Sequence, residues 1–409
     1  SKIGRGTATM DTQKYGTALL VNGRIVLPDR VVIGRAVLLE SGHIVDIVEA
    51  ESVDKSVSRY DVGGRYVAPG LIDIHTHGAM GNEFNEGTEE AFEAITQEQV
   101  KHGVTGLLAT TSSIPLTELL RSISVCREWM STPRQGTRVL GVHLEGPYFS
   151  LSHRGAQNPE NIRDPSDGTA AELLEHSDVL KIVTYAPELP GALDLTSQIV
   201  ARGIVPAAGH SSATDEEVRA AIQVGLRHAV HLWSGQSTTI RVGPWRKPGL
   251  LEASLTYDEL TGEIIADNRH LPATLMKLAY KCKGADRLCA VSDATSGAGL
   301  PEGTQLTTGN VECEVRDGVA ILLDGSAFAG STTLLGEMLP ILVNVVGIPL
   351  PEAVRMMSLT PARIIGADDT MGSLRSGKCA DITVLNEDLT VWSTIIAGRR
   401  VYEAQGPTL

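Results

Sequence analysis

The chain has 409 residues, and its 35 Lys and Arg against 49 Asp and Glu give a formal net charge of −14. A hydrophobic content of 42% and a charged content of 21% are ordinary for globular proteins, which excludes a disordered or fibrous chain. The acidic balance argues against nucleic acid or an anionic membrane surface as the main partner. The length suggests two or three domains, or one large barrel with an appended domain.

The five cysteines indicate a reducing environment. Their number is odd and no two of them form a C-x-x-C pair, so we expect neither a disulfide framework nor a thiolate zinc site. Residues 1–9 lack the apolar core of a signal peptide, and the most apolar late stretch, 334–350, is interrupted by polar residues and proline. These features predict a cytoplasmic protein without a membrane segment.

Both ends of the chain are rich in short β-type segments. In the first 66 residues these runs are 17–21, 24–26, 36–40 and 44–47, and in the last 40 residues they are 381–385, 391–396 and 400–402. Asn22-Gly23 between the first two runs is a strong hairpin signal. We predict one small β-sandwich domain formed by residues 1–66 and 371–409. Two unrelated capping hairpins are the alternative.

The middle of the chain, residues 67–370, alternates between strand-like and helix-like segments. The apolar strand-like runs are 66–75, 106–111, 138–144, 179–186, 204–209, 228–233, 263–267 and 287–292. The helix-like segments are 89–102, 116–130, 170–175, 195–202, 214–224 and 272–282. Eight alternations are the number that closes a parallel (β/α)8 TIM-type barrel. An open, doubly wound sheet shares the alternation, but no G-x-G-x-x-G motif follows the first strand.

A histidine pair ends the first strand of the predicted barrel. His75 and His77 are two residues apart, so both side chains point to the same side of a strand. Barrel enzymes keep their active sites at this carboxyl end, and two neutral imidazoles suit a borderline divalent metal. Surface histidines are the alternative, which we disfavour because the pair follows a Pro-Gly-Leu-Ile-Asp strand.

Three further strand ends carry candidate metal ligands. Glu145 ends the third strand just before a Gly-Pro break, where a carboxylate can bind or bridge ions; a salt-bridged glutamate is the alternative. His210 and His231 end the fifth and sixth strands, and each of them alone would be read as a core histidine. Because they end successive strands, we interpret both as ligands. We assign packing or supporting roles to His143 and His228.

Asp293 ends the eighth strand of the predicted barrel. A carboxylate at this position can accept a proton from metal-activated water and pass it to a leaving nitrogen. A metal lowers the pKa of bound water from about 16 to about 7, so the aspartate need only transfer the proton. An Asx-turn cap is the alternative interpretation.

The order H-x-H, Glu, His, His, Asp along eight β/α units resembles the amidohydrolase superfamily. Within it, the chain resembles the N-acetylglucosamine-6-phosphate deacetylase family. The motifs that carry this resemblance are H-L-E-G-P at 143–147, G-H-S at 209–211, I-A-D-N-R-H at 265–270, S-D-A-T at 292–295 and A-G-S at 329–331. The resemblance covers nearly the whole chain, including the split β domain. It implies hydrolysis of the N-acetyl group of an amino-sugar phosphate.

The resemblance also assigns roles to individual residues. Glu145, His210 and His231 match the family's principal metal ligands, and His75 and His77 match a pair that holds a second metal in some members. It therefore implies one or two divalent ions per chain, with zinc expected first and iron, manganese or cobalt also accepted by these ligands. Asp293 matches the catalytic acid/base.

Other matches concern the substrate. By the same resemblance, His270 matches a histidine that contacts the sugar and polarises the scissile carbonyl, and Arg246 matches an arginine that binds the phosphate. Arg154, Arg241 and Lys247 add positive charge in these loops, and solvated charges or intersubunit salt bridges are the alternative. The family is commonly dimeric with a partner loop near the phosphate, so we expect a homodimer.

Two departures from the family pattern lie around the sugar and the phosphate. Ser234 and Gly235 replace an Asn and the residue after it, whose amides bind phosphate, and Gln157 replaces a histidine. A serine can donate one hydrogen bond but lacks the reach of an amide side chain. The substrate alternatives are therefore another N-acyl amino sugar, such as N-acetylgalactosamine 6-phosphate, or an N-acyl amino acid. A non-catalytic binding barrel is a further alternative, disfavoured because every ligand position is filled.

Overall fold

The computed structural model describes residues 10–405 and has an eight-stranded parallel sheet at its centre. We number these barrel strands in chain order: β1 Leu71–Thr76, β2 Val104–Thr111, β3 Arg138–Glu145, β4 Leu180–Tyr185, β5 Val205–Ala208, β6 His228–Ala229, β7 Thr261–Ile265 and β8 Leu288–Val291. Each of them overlaps a run predicted from the sequence. The strands β8 and β1 meet at their carboxyl ends, where the Asp293 backbone N–H donates to the His75 carbonyl at 2.8 Å. The prediction of a (β/α)8 barrel is confirmed.

The barrel strands are almost entirely buried. All eight residues of β2 and all six of β1 are inaccessible to solvent, because helices cover the outside of the sheet while side chains fill its interior. The runs are therefore nearly continuous in Val, Ile, Leu and Ala. The candidate ligands lie at the carboxyl end of the strands. By contrast, Arg138 of β3 and Lys181 of β4 lie near the start of their strands and are only half-buried, and Arg138 bonds to Asp381 of the sandwich.

A helix follows each barrel strand. The helices that follow β1 to β7 are Glu89–Lys101, Leu116–Met130, Thr169–Leu174, Ala192–Ala201, Asp215–Val224, Leu250–Thr256 and Ala273–Lys283, and those that follow β8 are Leu335–Pro340, a π-helical continuation Ile341–Val346, Leu350–Met356 and Leu359–Ile364. Asp215–Val224 begins with a capping box in which Thr214 and Glu217 exchange side-chain hydrogen bonds with each other's backbone N–H. None of the helices in residues 10–405 has the length and apolar character needed to cross a bilayer.

The terminal segments form a β-sandwich of two sheets. One sheet has the strand order His43–Val48, Ala36–Glu40, Thr17–Val21 and Ser58–Asp61. The other has the order Arg399–Glu403, Val391–Ile396, Ile382–Leu385, Tyr66–Pro69, Arg24–Val26 and Val31–Val32. Because Ile382–Leu385 pairs antiparallel with Tyr66–Pro69, both ends of the chain share one sheet. This arrangement confirms the split β domain and excludes two unrelated capping hairpins.

The predicted domain boundaries, 66/67 and 370/371, remain a prediction. The sandwich strand Tyr66–Pro69 is separated from β1 only by Gly70. A Cβ on this glycine would lie 2.1 Å from Thr105 Oγ1, so no larger residue fits at the junction. Residues 1–9 and 406–409 lie outside the described residues. The expectation that no signal peptide is present concerned residues 1–9, so the structure does not bear on it.

The sequence analysis missed several β elements and short helices. A four-stranded antiparallel sheet, here called the insert sheet, follows β8 with strands Gln305–Thr308, Val311–Arg316, Val319–Leu322 and Phe328–Ser331. A hairpin of Ile240–Val242 and Trp245–Lys247, here called the arm hairpin, extends from the loop after β6. The remaining short elements are Gly78–Ala79, Asn82–Glu83, Thr12–Tyr15, Ala50–Ser52, Phe84–Glu86, Leu151–His153, Pro159–Asn161 and Pro165–Asp167. The arm hairpin is exposed throughout, and most of the other elements have only two to four residues, too few for a recognisable pattern. Val311–Arg316 does alternate apolar and polar residues, a signal that the sequence analysis missed.

Candidate active site

The Glu145 carboxylate lies at the centre of a histidine cluster at the carboxyl end of the barrel. Its Oε1 is 3.1 Å from His210 Nε2 and 3.0 Å from His231 Nε2. Its Oε2 is 3.0 Å from His77 Nε2 and 3.5 Å from His75 Nε2. Each oxygen therefore faces one histidine pair, and Glu145 itself is only 2% exposed. This is the arrangement expected of a carboxylate that can serve two cations at once.

Asp293 completes the half of the cluster that contains the H-x-H pair. Its Oδ1 lies 3.2 Å from His77 Nε2 and 3.4 Å from His75 Nε2. Two sets of potential ligand atoms, each within 4.8 Å of one another, arise in this way; they are His75, Glu145 and His231, and His75, His77 and Asp293. The structure thus brings together all six residues that the sequence predicted at the strand ends.

Backbone carbonyls fix the protonation of two of the rings. His210 Nδ1 lies 3.0 Å from the His153 carbonyl, and His231 Nδ1 lies 3.0 Å from the Ser234 carbonyl. A carbonyl oxygen can only accept, so each ring carries its proton on Nδ1 and presents the Nε2 lone pair to the cluster. This is the tautomer that a metal-binding imidazole requires.

His75 provides the most direct indication that a metal ion belongs in the cluster. Its Nδ1 pairs with Glu263 Oε2 at 2.8 Å, while its Nε2 is completely buried and makes no hydrogen bond within the described chain. A buried nitrogen without a partner is costly, and a divalent cation between His75, Glu145 and Asp293 would satisfy it. The donor set of imidazoles and carboxylates fits zinc, iron, manganese or cobalt.

The electrostatics of the cluster favour positive charge. Burial alone would lower the pKa of His77, but the Asp293 and Glu145 carboxylates raise it to about 9. Burial would likewise raise the pKa of Glu145, yet His75, His210 and His231 hold it well below its usual range. Carboxylates that stabilise a protonated imidazole also stabilise a divalent cation among these nitrogens.

Three of the six residues adopt backbone conformations that are rare for non-glycine residues. The φ angles are +45° for His210, +23° for His231 and +45° for Asp293. Each marks the point where a barrel strand ends and the chain turns, which directs the side chain toward the barrel axis. Strain of this kind, about 1–3 kcal/mol per residue, persists when the surrounding structure holds it in place and is frequent at functional sites.

A cavity of about 250 Å³ lies above the cluster. Of the predicted substrate contacts, Gln157, Ser234, Gly235 and His270 all line it. The Gln157 amide donates to Glu145 Oε2 at 3.3 Å and accepts from the Ser113 N–H at 2.8 Å, so it ties the loop after β3 to the cluster. The residues that line the cavity are His77, Ser112, Glu145, Gly155, Ala156, Gln157, His210, His231, Ser234, Gly235, His270, Asp293, Thr295, Thr308, Gly309, Ala327, Phe328, Ala329 and Gly330.

Arg246 does not line the cavity of its own chain. It lies on the exposed arm hairpin, where its Nη1 donates to the Pro244 carbonyl at 3.1 Å. Arg241 and Lys247 lie on the same hairpin, and Arg154 bonds to the Leu151 carbonyl. Both strands of the arm hairpin are exposed throughout, so Arg241, Arg246 and Lys247 are exposed with it. Within residues 10–405, no lysine or arginine lines the cavity.

His143 and His228 occupy the supporting positions expected of them. His143 uses both ring nitrogens, one toward the Ile74 carbonyl at 2.9 Å and one toward Thr184 Oγ1 at 2.7 Å, so neither nitrogen is available to an ion. Burial and the neighbouring His75 lower its pKa to about 3, which keeps the ring neutral. His228 contacts Glu263 and Thr261 rather than the cluster.

Sequence reasoning missed two buried carboxylates beneath the cluster and the aromatic residue of the insert sheet. Glu263 accepts from His75, while Asp73 accepts from the Ser292 side chain and the His75 N–H. Burial raises the pKa of Asp73 to about 7. The available signal was a charged residue inside an otherwise apolar barrel strand. No sequence signal placed Phe328 at the cavity.

Gly235 provides a test of how tightly the loop after β6 holds His210. Its φ is +62°, and an added Cβ would lie 2.7 Å from His210 Nδ1 and 3.1 Å from the His153 carbonyl, between two hydrogen-bonded atoms. We expect Gly235→Ala to weaken the binding of a divalent metal ion and to lower turnover, each at least about tenfold, because His210 loses its supporting hydrogen bond. Elemental analysis and steady-state kinetics measure both effects.

The matched control is Gly203→Ala. Gly203 has a φ of +70°, and no atom lies within 4 Å of a Cβ built there, so this variant carries the same backbone strain without the crowding. Normal metal content and turnover in Gly235→Ala would contradict this expectation and would mean that the loop moves to accommodate the added methyl group.

Comparison with known proteins agrees with this geometry. N-acetylglucosamine-6-phosphate deacetylase from Vibrio furnissii is 30% identical over 370 residues, which cover 90% of this chain and 91% of that protein. N-acetylgalactosamine-6-phosphate deacetylase from Escherichia coli O157:H7 is 30% identical over 375 residues, covering 89% and 97% respectively. The crystal structure of N-acetylglucosamine-6-phosphate deacetylase from Pasteurella multocida has a TM-score of 0.88 at 31% identity and covers 94% of this chain and 99% of that one.

A family model described as the amidohydrolase family matches residues 66–401, which include the barrel and the sandwich strands that flank it. The match contains every strand end that contributes to the histidine cluster. Metal-dependent cleavage of amide bonds is the chemistry that the cluster and this match have in common. The chain belongs to the amidohydrolase family and is a hydrolase that acts on amide bonds.

Proposed function

We propose that the protein removes the acetyl group of N-acetylglucosamine 6-phosphate, giving glucosamine 6-phosphate and acetate. The observation that carries this proposal is the buried carboxylate Glu145, surrounded by four imidazole Nε2 atoms at the floor of the cavity. The Vibrio and Pasteurella relatives are named for this reaction. Acetamide hydrolysis needs an activated water and an acid for the leaving amine, and the cluster offers groups for both.

In this proposal the chain holds one or two divalent ions. His210, His231 and Glu145 Oε1 would hold one of them, while His75, His77 and Glu145 Oε2 would hold the other. We take zinc as the metal because it is common with such ligands, although iron, manganese and cobalt accept the same set. When bound, the ion supplies Lewis acidity, which polarises the amide carbonyl and lowers the pKa of water to about 7.

In this proposal Asp293 transfers the proton and His270 binds the carbonyl oxygen. Asp293 accepts the proton of the attacking water and delivers it to the departing nitrogen. The His270 ring is held by Asp267, whose Oδ2 lies 2.7 Å from its Nδ1, so its position is fixed before the substrate arrives. In its doubly protonated form the ring would keep the Nδ1–H bond to Asp267 and donate its Nε2–H to the acetamide oxygen as negative charge develops there.

The cavity walls suit a sugar ring. The Phe328 ring packs 4.8 Å from the His270 ring, and its 43% exposure leaves an apolar face at the cavity for the C–H face of a pyranose. Ser234, Gln157 and Thr308 provide polar groups for hydroxyls at the same cavity. Apolar walls with a few polar groups at fixed positions are typical of small-molecule sites.

A second candidate follows from the charge of the cavity. Among the described residues its lining contains no lysine or arginine, and Ser234 stands where the family resemblance implies an amide side chain. A cavity without these cations suits an unphosphorylated N-acyl amino sugar or an N-acyl amino acid. A different hexosamine phosphate, such as N-acetylgalactosamine 6-phosphate, is the remaining alternative. The Escherichia coli relative is named for the last of these substrates.

For the phosphorylated substrate, the proposal includes a homodimer that acts in the cytoplasm. The arm hairpin exposes Trp245 by 73% and Ile240 by 57%, which is unusual for large apolar side chains and favours burial against a second copy. Arg246 on this arm would then supply the phosphate contact to the partner's cavity. All five cysteines are free, which supports a reducing compartment.

The first test concerns the proton carrier. We expect Asp293→Asn to lower kcat about a thousandfold while the protein retains its bound zinc, because an amide side chain cannot exchange the proton. Acetate release and elemental analysis give the two readouts. Asp388→Asn, which alters an exposed carboxylate of the sandwich, is the control and should leave kcat unchanged. Normal deacetylation by Asp293→Asn would remove Asp293 from the mechanism.

The second test compares substrates. We expect kcat/KM for N-acetylglucosamine 6-phosphate to exceed that for N-acetylglucosamine at least about a hundredfold, because a charge-assisted phosphate contact contributes about 3 kcal/mol. N-acetylgalactosamine 6-phosphate and an N-acetyl amino acid complete the panel. Equal rates with and without phosphate would favour the second candidate.

The third test asks whether Arg246 acts on the partner's cavity. We expect Arg246→Ala to raise KM for the phosphorylated substrate and to leave the unphosphorylated one unaffected. Mixing Arg246→Ala with Asp293→Asn should restore about a quarter of the wild-type activity, because half of the dimers then contain one complete site. Arg30→Ala, an exposed arginine of the sandwich, is the control for loss of charge. An inactive mixture would contradict the partner role.

A further inference from the structure

Glu263 is a fully buried carboxylate on β7, beneath the histidine cluster. Its Oε2 accepts from His75 Nδ1 at 2.8 Å and from the His231 backbone N–H at 3.1 Å. Its Oε1 pairs with His228 Nε2 at 2.9 Å. Three N–H donors therefore converge on one side chain with no exposure to solvent. Such a group is stable only because its lone pairs are occupied.

These bonds connect the two halves of the cluster. His75 ends β1 and His231 follows β6, and these strands are not neighbours in the barrel. The Glu263 side chain bridges them across the barrel interior. A single carboxylate thus fixes a ring of the first histidine pair and the backbone of the second.

The support given to His75 differs in kind from that of the other three rings. His210 and His231 donate to neutral backbone carbonyls, and His77 Nδ1 lies 3.3 Å from the Ser112 hydroxyl. Of the four Nδ1 atoms, that of His75 alone has a carboxylate as its partner in the described chain. A carboxylate partner fixes the Nδ1–H tautomer and increases the basicity of the opposite nitrogen, which strengthens its bond to a metal.

The position of His75 makes this support necessary. Its Nε2 is buried, has no hydrogen-bond partner in the described chain, and lies 3.5 Å from Glu145 Oε2 and 3.4 Å from Asp293 Oδ1. Rotation of the ring or a shift of its proton would place an N–H where an ion must bind. Glu263 is the hydrogen-bond partner of this ring that prevents both changes.

We propose that Glu263 is the positioning residue that makes the His75–His77 pair an ion site, so that the protein holds a second divalent ion there. The inference rests on the metal-dependent function proposed above. Glu263 acts through His75 and does not contact the substrate. Glu263 also accepts from the His231 backbone N–H, a bond that the amide oxygen of a glutamine can keep. Loss of its charge alone should therefore act on the ion at His75 and His77 and leave the ion at His210 and His231 in place.

The decisive variant is Glu263→Gln, which keeps the size of the side chain and its capacity for hydrogen bonds but removes the charge. We expect its zinc content to fall from two ions per chain to one, with the second dissociation constant raised about 10–100-fold. Titration of zinc against a competing chelator and elemental analysis measure this without any substrate. Circular dichroism and thermal melting establish that the variant is folded.

His228→Gln is the matched control, because it disturbs the same buried network and leaves the contact between His75 and Glu263 in place. We expect it to retain two ions. If both variants lose zinc equally, Glu263 is only a structural member of the network and the proposal is wrong. Two ions of unchanged affinity in Glu263→Gln, or a single ion in both wild type and variant, would also overturn it.

A measurement on the unaltered protein covers the case in which Glu263→Gln does not fold. In zinc-loaded protein labelled with 15N-histidine, the His75 ring must carry its proton on Nδ1, and a proton on Nε2 would refute the inference. These experiments are independent of the reaction. Failure to deacetylate any amino sugar would contradict the proposed function, whereas the zinc stoichiometry would still decide the role of Glu263.

Discussion

The structure depends on one electrostatic constraint, which is the burial of the Glu145 carboxylate. Removing such a group from water costs several kcal/mol unless opposite charge surrounds it. Four imidazole Nε2 atoms lie within 3.5 Å of Glu145, and in the Nδ1–H tautomer an Nε2 atom offers the anion only a lone pair. Positive charge is therefore required between the nitrogens and the carboxylate. Divalent ions would satisfy this requirement without fixing protons on the rings, and they would do so beside a cavity that a substrate can enter.

The barrel contributes the rigidity that this arrangement needs. His210, His231 and Asp293 all have positive φ angles, and each such residue costs about 1–3 kcal/mol. Neighbouring elements hold them in place through ordinary backbone hydrogen bonds. The Asp293 N–H donates to the His75 carbonyl, and its own carbonyl accepts from the Ser331 N–H at 2.8 Å. The insert sheet thereby stabilises the last strand end, so an element that forms a wall of the cavity also supports the cluster.

Sequence reasoning succeeded where a local pattern determines the structure. The eight strands have long apolar runs, and a ligand at a strand end needs only that strand to define its position. It failed where the outcome depends on distant segments. The bond between Glu263 and His75 joins residues 188 positions apart, and neither spacing nor composition predicts it. The location of Arg246 outside the cavity follows from the direction of an exposed hairpin, which its residue types do not specify.

Chemistry and specificity therefore depend on different parts of the chain. The candidate ligands lie at strand ends, whereas loops and the insert sheet form the cavity walls. The loop after β6 illustrates the separation, because Gln236 donates to the Val230 carbonyl at 2.9 Å and accepts from the Trp233 N–H at 3.3 Å. These bonds keep the loop folded around His231. Because the cavity lining among the described residues contains no lysine or arginine, an anionic substrate would need its counter-charge from outside that lining.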